Sequence, residues 1–319
     1  MASIVDSSPK SKELIFPFIG GEEVNSSPSH ENHRYIVNFE DRSLEEASRF
    51  PELLGIVRDK VKPERESKAQ DVARWPWWLY WRSRRAFYDT ICDLDRIVAT
   101  AATAKYRAFA FLPRRMVHAH SLILFAFDNY PAFTALQARP HELWSVFFGS
   151  TMKDDPLYAP SDCFETFPFP ENFESKPALE AAGKEYYEFR ADLMVRNDEG
   201  LTKTYNRFHD PEETSPDIQK LRDLHDAMDR AVLDAYGWTD LQPTCEFLLD
   251  YEDEDDEETG RTRKKKKPWR YRWPDDLRDE VLARLLKLNA ERAEEERRTG
   301  QTATAKEKAK AKKKGVKRG

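Results

Sequence analysis

The chain has 319 residues, 39% hydrophobic and 34% charged, with a net charge of −6; that is enough for about two domains of roughly 100–200 residues each. No apolar run approaches the roughly 18–20 residues of a membrane span, and the start M-A-S-I-V-D-S-S-P-K lacks the basic and apolar regions of a secretory signal, so a cytoplasmic protein is expected. Cys92, Cys163 and Cys245 are far apart, odd in number and never spaced C-x-x-C, which argues against a disulfide framework or a cysteine-rich zinc site. Eight Lys or Arg against one Glu fall in residues 301–319, so the rest of the chain is more acidic than the total, and any nucleic-acid face must be a local basic patch.

In chain order, residues 1–12 are polar and Ser-rich, an expected disordered N-terminus. Phe16 to Pro28 contains Gly20-Gly21 and predicts a turn with positive φ; His33 to Phe39 alternates and predicts a strand. Ser43 with Glu46 three residues on predicts a capping box, and Leu53, Leu54, Val57 and Val61 predict a helix over 51–61. Trp75 to Trp81, W-P-W-W-L-Y-W, holds four of the eight tryptophans. It reads first as a plug buried between sub-elements, with a base-stacking platform as the alternative.

Arg96 to Phe127 switches to a period of two and predicts three consecutive strands, R-I-V-A-T-A-A-T, R-A-F-A-F-L-P and M-V-H-A-H-S-L-I-L-F-A-F. Pro131 to Gly149 predicts a helix broken near Arg139 by Pro140. Ser175 and Pro177 start a helix with Leu179, Ala182, Tyr186, Phe189 and Leu193 on one face. Ser215 is read as the N-cap of another that runs to Gly237, and Pro274 opens a last one. Between them, residues 250–268 pass from an acidic run to a basic one and read as a disordered linker; the Lys-rich tail 301–319 is expected to be disordered and free to touch phosphates. The class expected is α+β: a small mixed or antiparallel sheet with flanking helices, then a mainly helical C-terminal region and a disordered basic tail.

No Gly-rich phosphate loop, H-E-x-x-H or G-x-S-x-G occurs. Asp162 and Glu165 would raise the pKa of Cys163, so A-P-S-D-C-F-E-T-F-P-F-P (159–170) reads as a structural joint with a packing thiol rather than a nucleophile's loop. His118 and His120 would share a strand face, but no third ligand accompanies them, so no metal site is assigned. The sharper constellation is basic: Lys105 and Arg107 at one predicted turn, Arg114 and Arg115 at the next, and His118, His120 and Ser121 along the following strand. Such groups suit base edges and phosphates, although an ordinary solvated hairpin has the same composition.

The segments F-I-G-G-E-E-V-N, R-Y-I-V-N-F, P-E-L-L-G-I-V-R-D-K-V-K-P-E-R, H-E-L-W-S-V-F-F-G-S, Y-A-P-S-D-C-F-E-T-F-P-F-P, E-G-L-T-K-T-Y-N-R-F-H-D-P and L-H-D-A-M-D-R-A-V-L-D-A-Y-G-W resemble, in order, the C-terminal part of MmeI-like adenine-specific DNA methyltransferases of restriction-modification and phage-defence systems. The resemblance implies a DNA target recognition domain over 13–172 and a helical C-terminal region over 173–300. It implies double-stranded DNA as a partner, contacted by Lys105, Arg107, Arg114, Arg115, His118, His120 and Ser121. The family's N-P-P-Y tetrapeptide and glycine-containing AdoMet loop do not occur in this sequence. No cofactor is therefore expected on this chain; AdoMet and the methyl-transfer chemistry are expected on a catalytic subunit or domain. The alternatives are a split or truncated adenine-specific methyltransferase, or a helical docking protein for a defence-system partner.

Overall fold

The computed structural model describes residues 9–81, 84–152, 155–249 and 269–299. The expectations for residues 1–8, the linker 250–268 and the tail 301–319 lie outside the described residues, whereas residues 9–12, expected to be disordered with them, open a 3-10 helix (Pro9–Leu14) in which Ser11 is buried. The class is α+β, and the chain forms two compact units. The first takes in residues 1–102, 108–128 and 198–201, the second 103–107, 129–197 and 202–319.

The first unit runs β1 (Ile15–Ile19), α1 (Gly21–Ser26), β2 (Arg34–Val37), α2 (Leu44–Ala47), α3 (Pro51–Lys60), α4 (Lys62–Glu66), α5 (Gln70–Ala73), α6 (Arg85–Thr90), β3 (Arg96–Ala101), β4 (Phe109–Pro113), β5 (Val117–His118) and β6 (Leu122–Phe125). Its two three-stranded sheets have the orders β2-β1-β5 and β4-β3-β6. The first is mixed, with β1 antiparallel to β2 and parallel to β5; the second is antiparallel.

Two sequence expectations are corrected here. Phe16 to Pro28 is a strand and a helix rather than a turn. Pro17 is tolerated in the central strand because β5 pairs only with Phe18 and Ile19, so no ladder bond is needed from Pro17 on that side. Gly20 has extended backbone (φ −127°, ψ −179°), not positive φ. What glycine supplies is room: a Cβ on Gly21 would stand 3.2 Å from the Ser121 carbonyl oxygen, and the Gly21 N–H donates to Ser121 Oγ at 3.0 Å.

The predicted third strand, Met116 to Phe127, also divides. Ala119 N–H donates to Ile19 O (2.9 Å), which carries β5 onto the first sheet, and Leu122 N–H donates to Ala119 O (3.1 Å), which turns the chain back so that β6 pairs with β3. Local alternation cannot see this division, because Ile19 lies a hundred residues upstream. Where local signals suffice, the reading holds: Ser43 and Glu46 form the capping box, with Glu46 N–H on Ser43 Oγ at 3.2 Å and Ser43 N–H on the Glu46 carboxylate at 2.8 Å.

Leu14, Phe39, Ala47, Leu53 and Val57 form a core under Trp77, Trp78 and Leu79, and Trp78 Nε1 donates to Arg42 O at 2.9 Å. The middle of the tryptophan run thus covers this core as the expected plug would, but only half-buried, and Trp75, Tyr80 and Trp81 stay exposed.

The second unit runs α7 (Tyr130–Gln137), α8 (Arg139–Phe148), β7 (Ser150–Met152), β8 (Asp155–Leu157), α9 (Pro160–Cys163), α10 (Pro177–Asn197), α11 (Leu201–Phe208), α12 (Pro216–Ala235), β9 (Glu246–Leu249), β10 (Trp269–Arg272) and α13 (Asp275–Thr299). Pro140 breaks α7 from α8 at Ala138, whose backbone is extended (φ −67°, ψ 156°). Ser215 occupies the N-cap position of α12 but makes no side-chain cap. The antiparallel hairpin β9/β10, Leu249 opposite Trp269, was not anticipated. The core gathers Trp144, Phe167, Leu233, Leu241, Trp273, Val281 and Leu285.

The joint 159–170 is built into this core. Cys163 is fully buried beside Ser145 O (3.6 Å), with its thiol pKa raised by burial, as expected for a packing thiol. Phe167 and Phe169 meet edge to face at 4.8 Å, and Tyr236 O–H donates to Pro168 O at 3.0 Å. Among the described residues no helix is long and apolar enough to cross a membrane.

Candidate nucleic-acid interface

The seven basic and polar residues singled out by sequence divide between the two units. Lys105 and Arg107 belong to the second. Lys105 Nζ donates to Asn206 Oδ1 at 2.7 Å. Arg107 is 9% exposed, its guanidinium donating to Pro156 O at 3.2 Å and lying 4.9 Å from the Tyr158 ring centroid; burial lowers its pKa. Both cations are therefore engaged inside that unit; they lie in the turn between β3 and β4 and Arg114 and Arg115 in the next, as the sequence placed them, but the two turns fall in different units.

Arg114, Arg115, His118, His120 and Ser121 belong to the first unit. His118 is buried at the end of β5 whereas His120 is exposed in the turn beyond it, so the two imidazoles do not share a strand face. Ser121 receives the Gly21 N–H and so fastens α1 to the β5–β6 turn.

Arg114, Arg115 and His118 line a cavity of about 630 Å³ together with Phe16, Asn38, Glu40, Asp41, Tyr80, Arg84, Arg85, Tyr88, Asp89, Met116 and Val117. Three stretches build it: the ends of β1 and β2, the segment leading into α6, and the tight turn between β4 and β5. That turn is held by Arg114 N–H on Asp95 O (3.2 Å) and Met116 N–H on Arg114 O (2.9 Å). Arg84 takes left-handed backbone (φ 49°) just before α6, which is uncommon outside glycine.

The lining carries a cationic surplus. Asp41 is paired with Arg85 at 3.0 Å and Glu40 with Arg42 at 2.7 Å, which leaves Asp89 as the remaining acid of a lining that also holds Arg84, Arg114 and Arg115. Among the described residues no acid pairs with those three arginines. His118 is only 8% exposed, and neither ring nitrogen has a hydrogen-bond partner among the described residues. Burial, and then the charge on Arg84, push its pKa down to about 4, so at neutral pH it is an uncharged imidazole with one donor and one acceptor. Tyr80 O–H donates to Val37 O at 3.3 Å, and desolvation raises its pKa to about 12.

Sequence reasoning missed Arg84, Arg85, Tyr88 and Asp89, whereas Tyr80 lies in the tryptophan run already read as a plug or a base-stacking platform. The available signal was the pair Arg84-Arg85 directly after the tryptophan run, on the border between an aromatic plug and a helix.

A second polar cluster, in the other unit, brings His225, Asp226 and Asp229 within 4.8 Å of one another, a spacing that could hold a metal ion. The Arg139 guanidinium already lies between the two carboxylates, donating to Asp226 Oδ1 at 2.9 Å and to Asp229 Oδ2, while Tyr271 O–H donates to Asp226 Oδ2 at 2.7 Å. The negative charge a cation would satisfy is thus met by Arg139, and the cluster reads as a buried structural ion pair.

Residues 1–171 match the family model described as MmeI, target recognition domain. The chain is similar in fold to the Type IIL restriction-modification enzyme MmeI, solved in complex with DNA, with 18% sequence identity and a TM-score of 0.51; the similarity covers 74% of this chain and 30% of that one. The chain thus spans less than a third of the length of that enzyme, and the likeness concerns the fold. No curated protein matches the chain in sequence. Because the family match extends over more than half of its 319 residues, the chain belongs to the MmeI target recognition domain family.

Proposed function

We propose that the chain is a DNA sequence-recognition module of an adenine-specific (N6) restriction-modification or phage-defence system, with AdoMet binding and methyl transfer carried by another domain or polypeptide. Residues 13–172 choose the site, and the helices of 173–300 support them or dock the catalytic part. One observation carries this reading beyond family membership: within the matched segment, the cavity of the first unit sets Arg84, Arg114 and Arg115, with no acid partner among the described residues, around a buried His118 whose ring nitrogens are unpaired among them. Unpaired arginines suit phosphates and guanine edges, and an uncharged imidazole suits a base edge. The contact set offered to DNA by the first unit is then Arg84, Arg114, Arg115, His118 and exposed His120; Lys105 and Arg107, whose side chains are held within the second unit, are not counted in it.

The test is selection from a random duplex library on the full chain, followed by titration of the enriched and a scrambled duplex at several salt concentrations. A preferred sequence, bound with an affinity that falls with salt, supports recognition; equal binding to every duplex, or none, overturns it. Calorimetry with AdoMet tests the division of labour: saturable AdoMet binding by this chain would overturn the assignment of chemistry elsewhere.

A further inference from the structure

The depth of His118 separates this cavity from an ordinary basic groove. A stacked base pair offers only its edge, at the groove floor, and the side chains that read it reach outward from the protein surface. His118 does the reverse. It is 8% exposed, both ring nitrogens lack partners among the described residues, and it sits in the wall of a cavity whose mouth carries exposed Arg84 and Arg115 and half-buried Arg114. A buried polar group left unpaired costs free energy, and a ligand that enters the cavity and supplies both an acceptor and a donor removes that cost.

Three features of the lining limit what that ligand is. The volume, about 630 Å³, lies within the roughly 300–1,000 Å³ typical of small-ligand sites. The walls include the rings of Phe16, Tyr80 and Tyr88 and the thioether of Met116, surfaces suited to the faces of a planar heterocycle. The surplus charge is positive and belongs to arginines, whose planar forks match phosphate oxygens.

We infer that this cavity receives one nucleotide, its base against the tyrosines and hydrogen-bonded to His118, its phosphate on Arg84 and Arg114. The chemistry is that of a nucleoside monophosphate. It has two sources, an extrahelical nucleotide swung out of a bound duplex or a free monophosphate, and the first rests on the DNA-recognition reading above. Extruding a nucleotide breaks stacking and pairing at a cost of about a few kcal/mol, and a pocket that reads the extruded base recovers it. Such a pocket would give specificity at one position that no groove contact supplies.

The experiment has two arms on the full chain. In the first, each of the four deoxynucleoside monophosphates, and inorganic phosphate as control, is titrated by calorimetry against the unaltered chain and against His118→Leu, His118→Gln and Arg114→Ala. Saturable binding of at least one monophosphate, tighter than phosphate alone, is expected. Loss of about tenfold in His118→Leu and smaller loss in His118→Gln, which keeps a donor and an acceptor, would mark the base contact. In the second arm, the preferred duplex carries 2-aminopurine at each position in turn; a fluorescence rise at one position, lost in His118→Leu when compared at protein concentrations that saturate each duplex, marks extrusion.

Monophosphate binding without any fluorescence rise assigns the site to a free nucleotide. Absence of both, in a chain that still binds its duplex, overturns the inference and leaves recognition standing. If no duplex binds, recognition fails and the first arm alone decides. Binding no tighter than phosphate, or unchanged in a His118→Leu variant whose melting temperature is unaltered, also overturns the inference.

Discussion

Two clusters, one in each unit, treat buried charge in opposite ways. In the second, Arg139 is closed by Asp226 and Asp229. Arg190 donates to Gln137 Oε1 (3.1 Å) and Tyr205 Oη (3.0 Å) among the rings of Phe133, Tyr186 and Tyr187, and Arg222 donates to the carbonyls of Phe208 and Asp210, both at 2.9 Å. In the first unit, Arg84, Arg114 and Arg115 stand around a cavity with no acid partner among the described residues, and the ring nitrogens of buried His118 have no hydrogen-bond partner among them either. Since buried polar groups are satisfied as a rule, the difference teaches where to look: satisfied charge specifies a core, and unsatisfied charge collected in a cavity awaits something from outside.

The largest expected effect breaks the satisfied side. Arg139→Leu strands Asp229, which is fully buried, and is expected to destabilise the chain by about 3–5 kcal/mol in denaturant unfolding. The same pair sets an acid limb. Arg139 holds the Asp229 carboxyl below its ordinary value of 3.8 against the opposing effect of burial. Its stabilising contribution is therefore complete above the ordinary carboxylate range and is lost as pH falls through the depressed folded value. A melting series across that range should steepen in the unaltered chain and flatten in the Arg139→Leu, Asp229→Leu double variant.

Packing in the same unit gives the next effect. A Cβ on Gly183 would collide with Thr134 Oγ1 and stand 2.9 Å from the Tyr130 carbonyl oxygen, where α10 lies against α7, and Thr134 Oγ1 already donates to Leu179 O at 2.8 Å. Gly183→Ala is expected to cost about 1–3 kcal/mol by overpacking, although alanine is the better helix former. An unchanged unfolding midpoint would show that the two helices separate more easily than their contact implies.

What the sequence made legible follows the range of the forces involved. The Ser43–Glu46 capping box, the break at Pro140 and the start of α10 at Pro177 are set within a few residues, and each stands where its local signal puts it. The division of Met116–Phe127 depends on Ile19, the partnership of Arg139 with Asp229 spans ninety residues, and β9 meets β10 across a charged run that carries no strand signal. The candidate site was half legible for the same reason. Arg114, Arg115 and His118 announced themselves as a basic stretch, whereas Tyr80, Arg84 and Tyr88 join them only through the fold, and Lys105 and Arg107 look equivalent in sequence yet are engaged in the other unit.

On the unsatisfied side, stability should barely move while binding does. Among the described residues Arg84, Arg114 and Arg115 have no acid partner to strand, so each substitution by alanine is expected to change stability within about 0.5 kcal/mol. A substitution that removes a phosphate contact should weaken all duplexes alike and reduce the salt slope by about 1; one that removes a base contact should cost roughly 1–3 kcal/mol at a single position of the site. Large destabilisation by Arg114→Ala would mean that this arginine serves the fold, and the contrast between the units would lose one of its members.

The finest test sets one buried histidine against another. His141, in the second unit, is fully buried with both nitrogens engaged: Nδ1 meets Leu136 O at 2.8 Å and Nε2 meets Tyr158 Oη at 3.0 Å. A carbonyl only accepts, so Nδ1 must carry the proton and Nε2 must accept from the tyrosine. His118 has no such instruction, and its tautomer is free to follow a ligand. Burial depresses both rings, to about 3 for His141 and about 4 for His118, so between pH 6 and 8 neither signal should move with pH. Nitrogen-detected NMR should then find His141 locked in the Nδ1–H form whatever is added, and His118 a mixture that collapses to one tautomer when the cavity is filled. A His118 already locked in the free protein would mean that its hydrogen-bonding capacity is spent internally, as in the other unit, and the contrast between the two would close.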